Sequence, residues 1–157
     1  MPPGFGKEHK MNPYLHKVQY YETDQMGFVH HANYLRWFEE ARLDFLEQIG
    51  LPYPMMEEKG YLSPVLSASC RYKQAARFGE TVEILAVLLE FGNVRFRYGY
   101  EVRDSQSGVL HATGETTHCF IGRDGRVLAL RHKDPALFAA LRAAVEPTST
   151  GSPDAYS

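Results

Sequence analysis

Cysteine is scarce in this sequence. Cys70 and Cys119 are the only two, and neither sits in a CxxC or CxxH spacing, so a disulfide framework and a structural zinc are both unsupported. A reducing, cytoplasmic setting is expected. Long apolar runs are also lacking: the longest, ILAVLL at Ile84–Leu89, is far short of the ~20 residues that span a bilayer. The opening MPPGFGKEHK carries no apolar signal core. Neither secretion nor membrane insertion is expected. A basic excess is missing as well, with a formal charge of -2 and a pI near 6.4, which excludes the electrostatic footprint of a nucleic-acid binder.

What is present fits one soluble domain. The chain has 157 residues, 44% of them apolar and 23% charged, enough for one sizeable core and too few for two ordinary domains. Residues 1–10 are rich in Gly, Pro and Lys without periodicity, and are expected to form a flexible extension or an expression remnant. From Glu146 the polar, proline-bearing EPTSTGSPDAYS has little to bury and is expected to be a disordered tail. The domain is therefore assigned to residues 11–145.

Asn33 is a good helix N-cap, and Tyr34, Phe38, Ala41, Phe45 and Ile49 recur at steps of four, three, four and four. A long amphipathic helix is predicted there, with Arg36, Glu39, Glu40, Asp44 and Glu47 mostly on its solvated side. Gly50, Pro52 and Pro54 stop it. The period then changes to two: Val94, Phe96, Tyr98, Tyr100 and Val102 alternate with polar residues and Gly99, as in a half-buried strand. Further strands are predicted at Leu15–Tyr21, Leu62–Tyr72, Thr81–Glu90 and Val109–Ile121, and a last helix from Asp134 with Pro135 in its first turn. The turn signals FGN, DSQSG and RDGR suit antiparallel hairpins. The fold class is α+β: one sheet packed on one main helix, with four strands after the helix in a meander-like row. Such a sheet leaves a face and its edges open, and dimerisation is an economical remedy.

The stretch YYETDQMGFVHHANYLRWFEE, Tyr20–Glu40, holds the candidate chemistry. Together with its flanks, VQYYETDQMGFVHHANYLRWFEEAR resembles the signature of hot-dog-fold thioesterases of the 4-hydroxybenzoyl-CoA thioesterase class, and particularly the bacterial acyl-CoA thioesterase branch associated with the Tol-Pal cluster. The matching features are an aromatic strand end, T-D, Gly27, a V-x-H-x-x-Y stretch and the aromatic, acidic helix; ARFGETVEI fits as well. The resemblance implies a curved antiparallel sheet wrapped around the Asn33 helix and paired across a homodimer or homotetramer. It implies a hydrolase converting an acyl-CoA, or an acylated carrier protein, to free acid and thiol without metal or other cofactor.

The same resemblance puts the carboxylate at Asp24, as nucleophile or general base, and an oxyanion donor at the backbone N–H of His31. Helix N-termini stabilise developing negative charge, which is what a thioester carbonyl under attack requires. Gly27 turns the chain so that Asp24 faces the helix start. Tyr34 stands at the site or in the core, and Trp37 in the core, a dimer contact or the acyl pocket. Arg95 and Arg97 are the candidate contacts to CoA phosphates, with Arg126, Arg131, His132 and Lys133 as substitutes. Asp24 as a plain Asx-turn residue is the competing reading. Adjacent His30 and His31 are expected to point different ways, and no metal-ligand spacing accompanies them; His111 and His118 fall on opposite strand faces and are read as structural. A non-catalytic acyl-CoA binding module and a hot-dog dehydratase or hydratase are the alternative functions. The first lacks an appended effector domain, and the second lacks the H-F-P or D-x-N-P-x-H patterns.

Overall fold

A computed structural model describes residues 11–146. The expected extension at residues 1–10 and the tail beyond Glu146 lie outside the described residues. Strand β1 (Tyr14–Lys17) leads through a short 3-10 turn (Tyr20–Glu22) to helix α1 (Ala32–Gln48). Helix α2 (Tyr53–Glu58) and strands β2 (Val65–Tyr72), β3 (Thr81–Phe91), β4 (Arg95–Asp104) and β5 (Leu110–Cys119) follow. Helices α3 (Leu130–Lys133) and α4 (Pro135–Ala143) close the domain. The strands form a single antiparallel sheet in the order β1-β3-β4-β5-β2, with α1 across one face. This is the hot-dog architecture that the motif implied.

The helix forms where its apolar repeat requires. Tyr34, Trp37, Phe38, Ala41, Phe45 and Leu46 are buried along one face, and the Phe38 ring stacks on Tyr100 with centroids 4.3 Å apart while Phe45 meets Tyr98 edge-on. Tyr98 and Tyr100 belong to the alternating series of β4, so the two periodicities meet on one surface. Gly114 of β5 allows this approach: a Cβ there would strike the Phe38 ring and lie 2.7 Å from the Ser69 carbonyl oxygen. At the far end, Leu51 N–H donates to Leu46 O and Gly50 N–H to Glu47 O. Gly50 has φ 78°, completing a Schellman stop as predicted.

Four expectations are corrected. Asn33 is not the N-cap; His31 holds that position, and Asn33 lies inside the first turn, where its buried amide donates to the Glu22 and His30 carbonyls. The early strand ends at Lys17, because the Glu22 carboxylate accepts the Gln19 N–H and folds Tyr20–Glu22 into a turn. The strands after α1 are not in sequence order, since β2 pairs with β5 and lies at the edge. Pro52 and Pro54 do more than stop α1: Pro52 caps α2 and Pro54 lies in its first turn, a short helix the sequence reading omitted. The last helix is as predicted, with Asp134 accepting the Leu137 N–H.

Candidate active site

The segment from Glu22 to α1 is tied down by one buried carboxylate. Glu22 is 4% exposed; its Oε1 meets His16 Nε2 at 2.7 Å and accepts Gln19 N–H at 2.8 Å, while its Oε2 accepts Trp37 Nε1–H at 2.7 Å. Burial pushes the Glu22 pKa up, but the hydrogen bonds from Gln19, His16 and Trp37 outweigh it and hold the group below the usual carboxylate range. The Glu22 carbonyl in turn accepts His30 N–H and the Asn33 amide. Trp37 is therefore core, 1% exposed, and fixes the loop that precedes its own helix.

On this base sits a tight turn. Asp24 N–H donates to Phe28 O and Gly27 N–H to Asp24 O, and Gly27 takes φ 82°, a conformation that disfavours any side chain. Asp24 Oδ1 accepts Met26 N–H at 2.8 Å and Phe28 N–H at 3.2 Å. The Asx-turn role is thus real, yet it occupies one carboxylate oxygen; Oδ2 takes no hydrogen bond among the described residues. The same carboxyl can shape the turn and present a free oxygen.

The helix start completes the arrangement. Ala32 N–H is capped by His30 Nδ1 at 3.2 Å, and Asn33 and Tyr34 N–H donate to the His30 and His31 carbonyls. His31 N–H has no acceptor among the described residues. An unpaired N–H at the positive end of a 17-residue helix is a donor available to a ligand oxygen. The His30 and His31 rings do not diverge as expected; they stack with centroids 4.2 Å apart, because His30 turns back to cap the helix.

Asp24, Val29, His31, Tyr34 and Tyr72 line one open cleft of about 240 Å³, walled on the far side by Lys73, Gln74 and Ala75. Tyr72 Oη donates to the His31 carbonyl at 3.1 Å, joining the end of β2 to the helix start. Burial, with Cys70 adding to it, raises the Tyr72 phenol to about 12, and burial raises the neighbouring Cys70 thiol to about 11. Cys70 is therefore a thiol at neutral pH and not a competing nucleophile. A second cavity, about 90 Å³ and lined mainly by apolar residues such as Leu46, Met56 and Tyr98, lies along the other half of α1 and takes no part in this arrangement.

Asp24, Gly27, His31 and Tyr34 are thus brought together. Arg95 and Arg97 are not near them within one chain. Tyr72 aligns through Ala112 with Val102, and Arg97 is five residues further along β4, or about 16 Å at strand rise. Arg97 is also engaged, donating Nε–H to Glu90 at 3.1 Å and Nη1–H to Glu115 at 2.5 Å. Sequence reasoning missed Glu22, His30, Tyr72 and the Lys73–Ala75 wall. Glu22 directly precedes T-D, but no local feature marks it among the other acids, and the wall comes from a distant loop and had no signal either.

His118 bonds Thr116 on the helix side of β5, whereas His111 sits at a slip in the β4–β5 ladder, so the regular alternation behind the opposite-face expectation does not hold there; its Nδ1 meets the Gln74 carbonyl oxygen. Among the described residues, Glu80, Asp104 and His111 are the one trio of potential metal ligands, with ligand atoms within 4.8 Å of one another. No helix among them is long and apolar enough to cross a membrane.

Comparison with known proteins identifies the fold and the family. The family described as the Thioesterase-like superfamily matches residues 18–147. A hypothetical protein of Thermus thermophilus is 36% identical, with a TM-score of 0.78 over 85% of this chain and 99% of that one. A DHNA-CoA thioesterase of Staphylococcus aureus is 32% identical, with a TM-score of 0.79 over 83% of this chain and 87% of that one. A 1,4-dihydroxy-2-naphthoyl-CoA hydrolase of Thermosynechococcus vestitus is 27% identical over 114 residues, 69% of this chain and 77% of its own. With its sheet, its helix and the loop between them all accounted for, the chain belongs to the Thioesterase-like superfamily, as a thioester hydrolase on the hot-dog fold.

Proposed function

We propose that the protein hydrolyses an acyl-CoA thioester in the cleft between Asp24 and the start of α1. The observation that carries this reading is the pairing, in one cleft, of a carboxylate with an uncommitted oxygen and a helix N-terminal N–H with no acceptor. His31 N–H receives the thioester oxygen as it gains charge, an interaction worth roughly 3 to 4 kcal/mol for a key donor. Asp24 then acts by one of two balanced routes. As nucleophile it attacks the carbonyl carbon, the C–S bond breaks, CoA leaves as thiolate, and water hydrolyses the resulting anhydride. As general base it takes a proton from water, whose oxygen attacks the carbonyl, and the proton passes to the departing thiolate. Gly27 and Tyr34 shape the cleft.

The site is completed by a second copy of the chain. Strand β2 is a sheet edge whose Val65, Leu66 and Tyr72 are about half exposed, and Tyr72 borders the cleft, so edge pairing through β2 closes the site and buries these side chains. Whether two such dimers assemble further is a separate step. The nucleotide phosphates then meet cations remote from Asp24 in the same chain; Arg95, exposed at the β3–β4 turn, is the better placed of the two candidates. The reduced Cys70 and Cys119 fit a cytoplasmic enzyme. The Tol-Pal-associated branch is supported by the Val18–Arg42 motif alone, whereas relatives acting on dihydroxynaphthoyl-CoA make aromatic acyl groups part of the test.

Purified protein, incubated with short, long and aromatic acyl-CoAs and a chelator, should release thiol from at least one of them. No release above background across that set would overturn the proposal, and binding without release would point to a non-catalytic module.

A further inference from the structure

The Glu80, Asp104 and His111 cluster lies outside the thioesterase cleft and is unused by it. His111 stands where the β4–β5 ladder slips, Val102 pairing with Ala112 and Arg103 with Leu110. Such a bulge leaves one residue unpaired and re-aims its side chain. The His111 ring is 4% exposed. Its Nδ1 lies 2.8 Å from the Gln74 carbonyl oxygen, which can only accept, so Nδ1–H donates there and Nε2 is the ring nitrogen left for another partner. That Nε2 is buried and has no hydrogen-bond partner. It points instead toward Glu80 Oε2, 3.5 Å away.

Three electron-pair donors therefore face one point: an imidazole nitrogen and two carboxylates, all within 4.8 Å of one another. The 3.5 Å from Nε2 to Glu80 Oε2 is longer than a good N–H···O bond, so the pair leaves room between the ring and the carboxylates. Asp104 is held in place by its own turn, with Oδ2 accepting Gln106 and Ser107 N–H at 3.0 and 2.7 Å. A divalent cation satisfies all three donors at once. Zinc-type distances of about 2.0–2.2 Å in tetrahedral geometry set ligand atoms roughly 3.4 Å apart, so separations of up to 4.8 Å close with a contraction of at most about 1.4 Å, shared between the side chains. Glu80, whose side chain is a third exposed, is free to make it.

We propose that Glu80, Asp104 and His111 form a binding site for a divalent transition-metal cation of the zinc class, bracing the wall of the thioesterase cleft. The brace follows from the other side of His111. Its carbonyl accepts Lys73 and Gln74 N–H and its Nδ1–H donates to Gln74, and Lys73 and Gln74 line the cleft. The cation fixes the ring, the ring fixes the wall, and the reacting groups are left to the protein alone.

The test uses the full chain, stripped with chelator and titrated with zinc chloride in a calorimeter, with melting temperature read in parallel. One equivalent should bind per chain and raise the melting temperature. Glu80→Gln and Asp104→Asn keep the side-chain shapes and the Asp104 turn; each should weaken zinc binding by about tenfold or more and shrink the thermal shift. Glu80→Gln alters a partly exposed side chain, so it stays folded and decides the matter even if Asp104→Asn does not. Absence of zinc binding to the unmodified protein at 100 µM, a ceiling of roughly 5 kcal/mol in affinity, would overturn the proposal. So would undiminished binding in Glu80→Gln, which would place the ion elsewhere.

Discussion

Replacing Asp24 by Asn separates the two roles that the structure gives this residue. The amide oxygen can still accept Met26 and Phe28 N–H, which Asp24 Oδ1 takes at 2.8 and 3.2 Å, so the turn survives. What changes is charge. Hydrogen bonds to an ionised acceptor contribute roughly 1.5–3 kcal/mol against about 1 for neutral ones, and solvent screening at this partly exposed site reduces the difference; a cost near 1 kcal/mol in all is expected. For a domain of this size that is a fall of about 3 to 5 °C in melting temperature. Activity should respond far more, by at least about a hundredfold in turnover, the lower range for losing a positioned acid–base group and about 2.7 kcal/mol in barrier. Thiol release and thermal melting on one preparation give both numbers. A folded Asp24→Asn protein turning over near the wild-type rate would end the mechanism, leaving Asp24 as a turn residue only. Heavy oxygen on Asp24 after turnover in labelled water would select the anhydride route.

Gly114→Ala should destabilise the domain by roughly 1–3 kcal/mol, the usual cost of overpacking, since the new methyl meets Phe38 and the Ser69 carbonyl; an unchanged urea midpoint would show that α1 is not pressed on β5 there. Acid should destabilise through His118, which burial, and secondarily the charge of Arg42, keep neutral by lowering its pKa from 6.5 to about 3. The unfolded chain takes up a proton below pH 6.5 that the folded chain refuses, so stability is full above that pH and falls by about 1.4 kcal/mol per unit below it. Glu22, whose pKa is lowered from 4.5, adds its own loss only at still lower pH, so His118→Gln should flatten the stability curve between pH 6.5 and 5; an unaltered slope would refute the assignment. Sedimentation equilibrium should find at least a dimer at micromolar concentration, with Leu66→Lys shifting it toward monomer. A folded wild-type monomer at that concentration would count against pairing through β2.

Local pattern sufficed for the long helix, the later strands and the last helix, and for the turn that carries Asp24. The four-three-four spacing of Tyr34, Phe38, Ala41 and Phe45 determines a buried helix face, and the alternation from Phe96 to Val102 a half-buried strand, because each period follows from backbone geometry. Gly50 and Asp134 mark helix ends for equally local reasons. The T-D-x-x-G turn is also local, so Asp24, Gly27 and His31 were legible together, with family resemblance supplying their roles. Tertiary structure decided everything that depends on a partner distant in sequence. Asn33 looks like a cap until the Glu22 and His30 carbonyls are in place to receive its amide. The meander reading failed because hairpin signals say which strands can turn back, not which edge β2 will join. Glu22 is one acid among many until His16, Gln19 and Trp37 converge on it, and the donor trio of Glu80, Asp104 and His111 exists only because a loop, a turn and a strand bulge meet at one end of the sheet. Spacing records what one backbone segment imposes on itself; convergence of side chains from separate segments leaves no period to read.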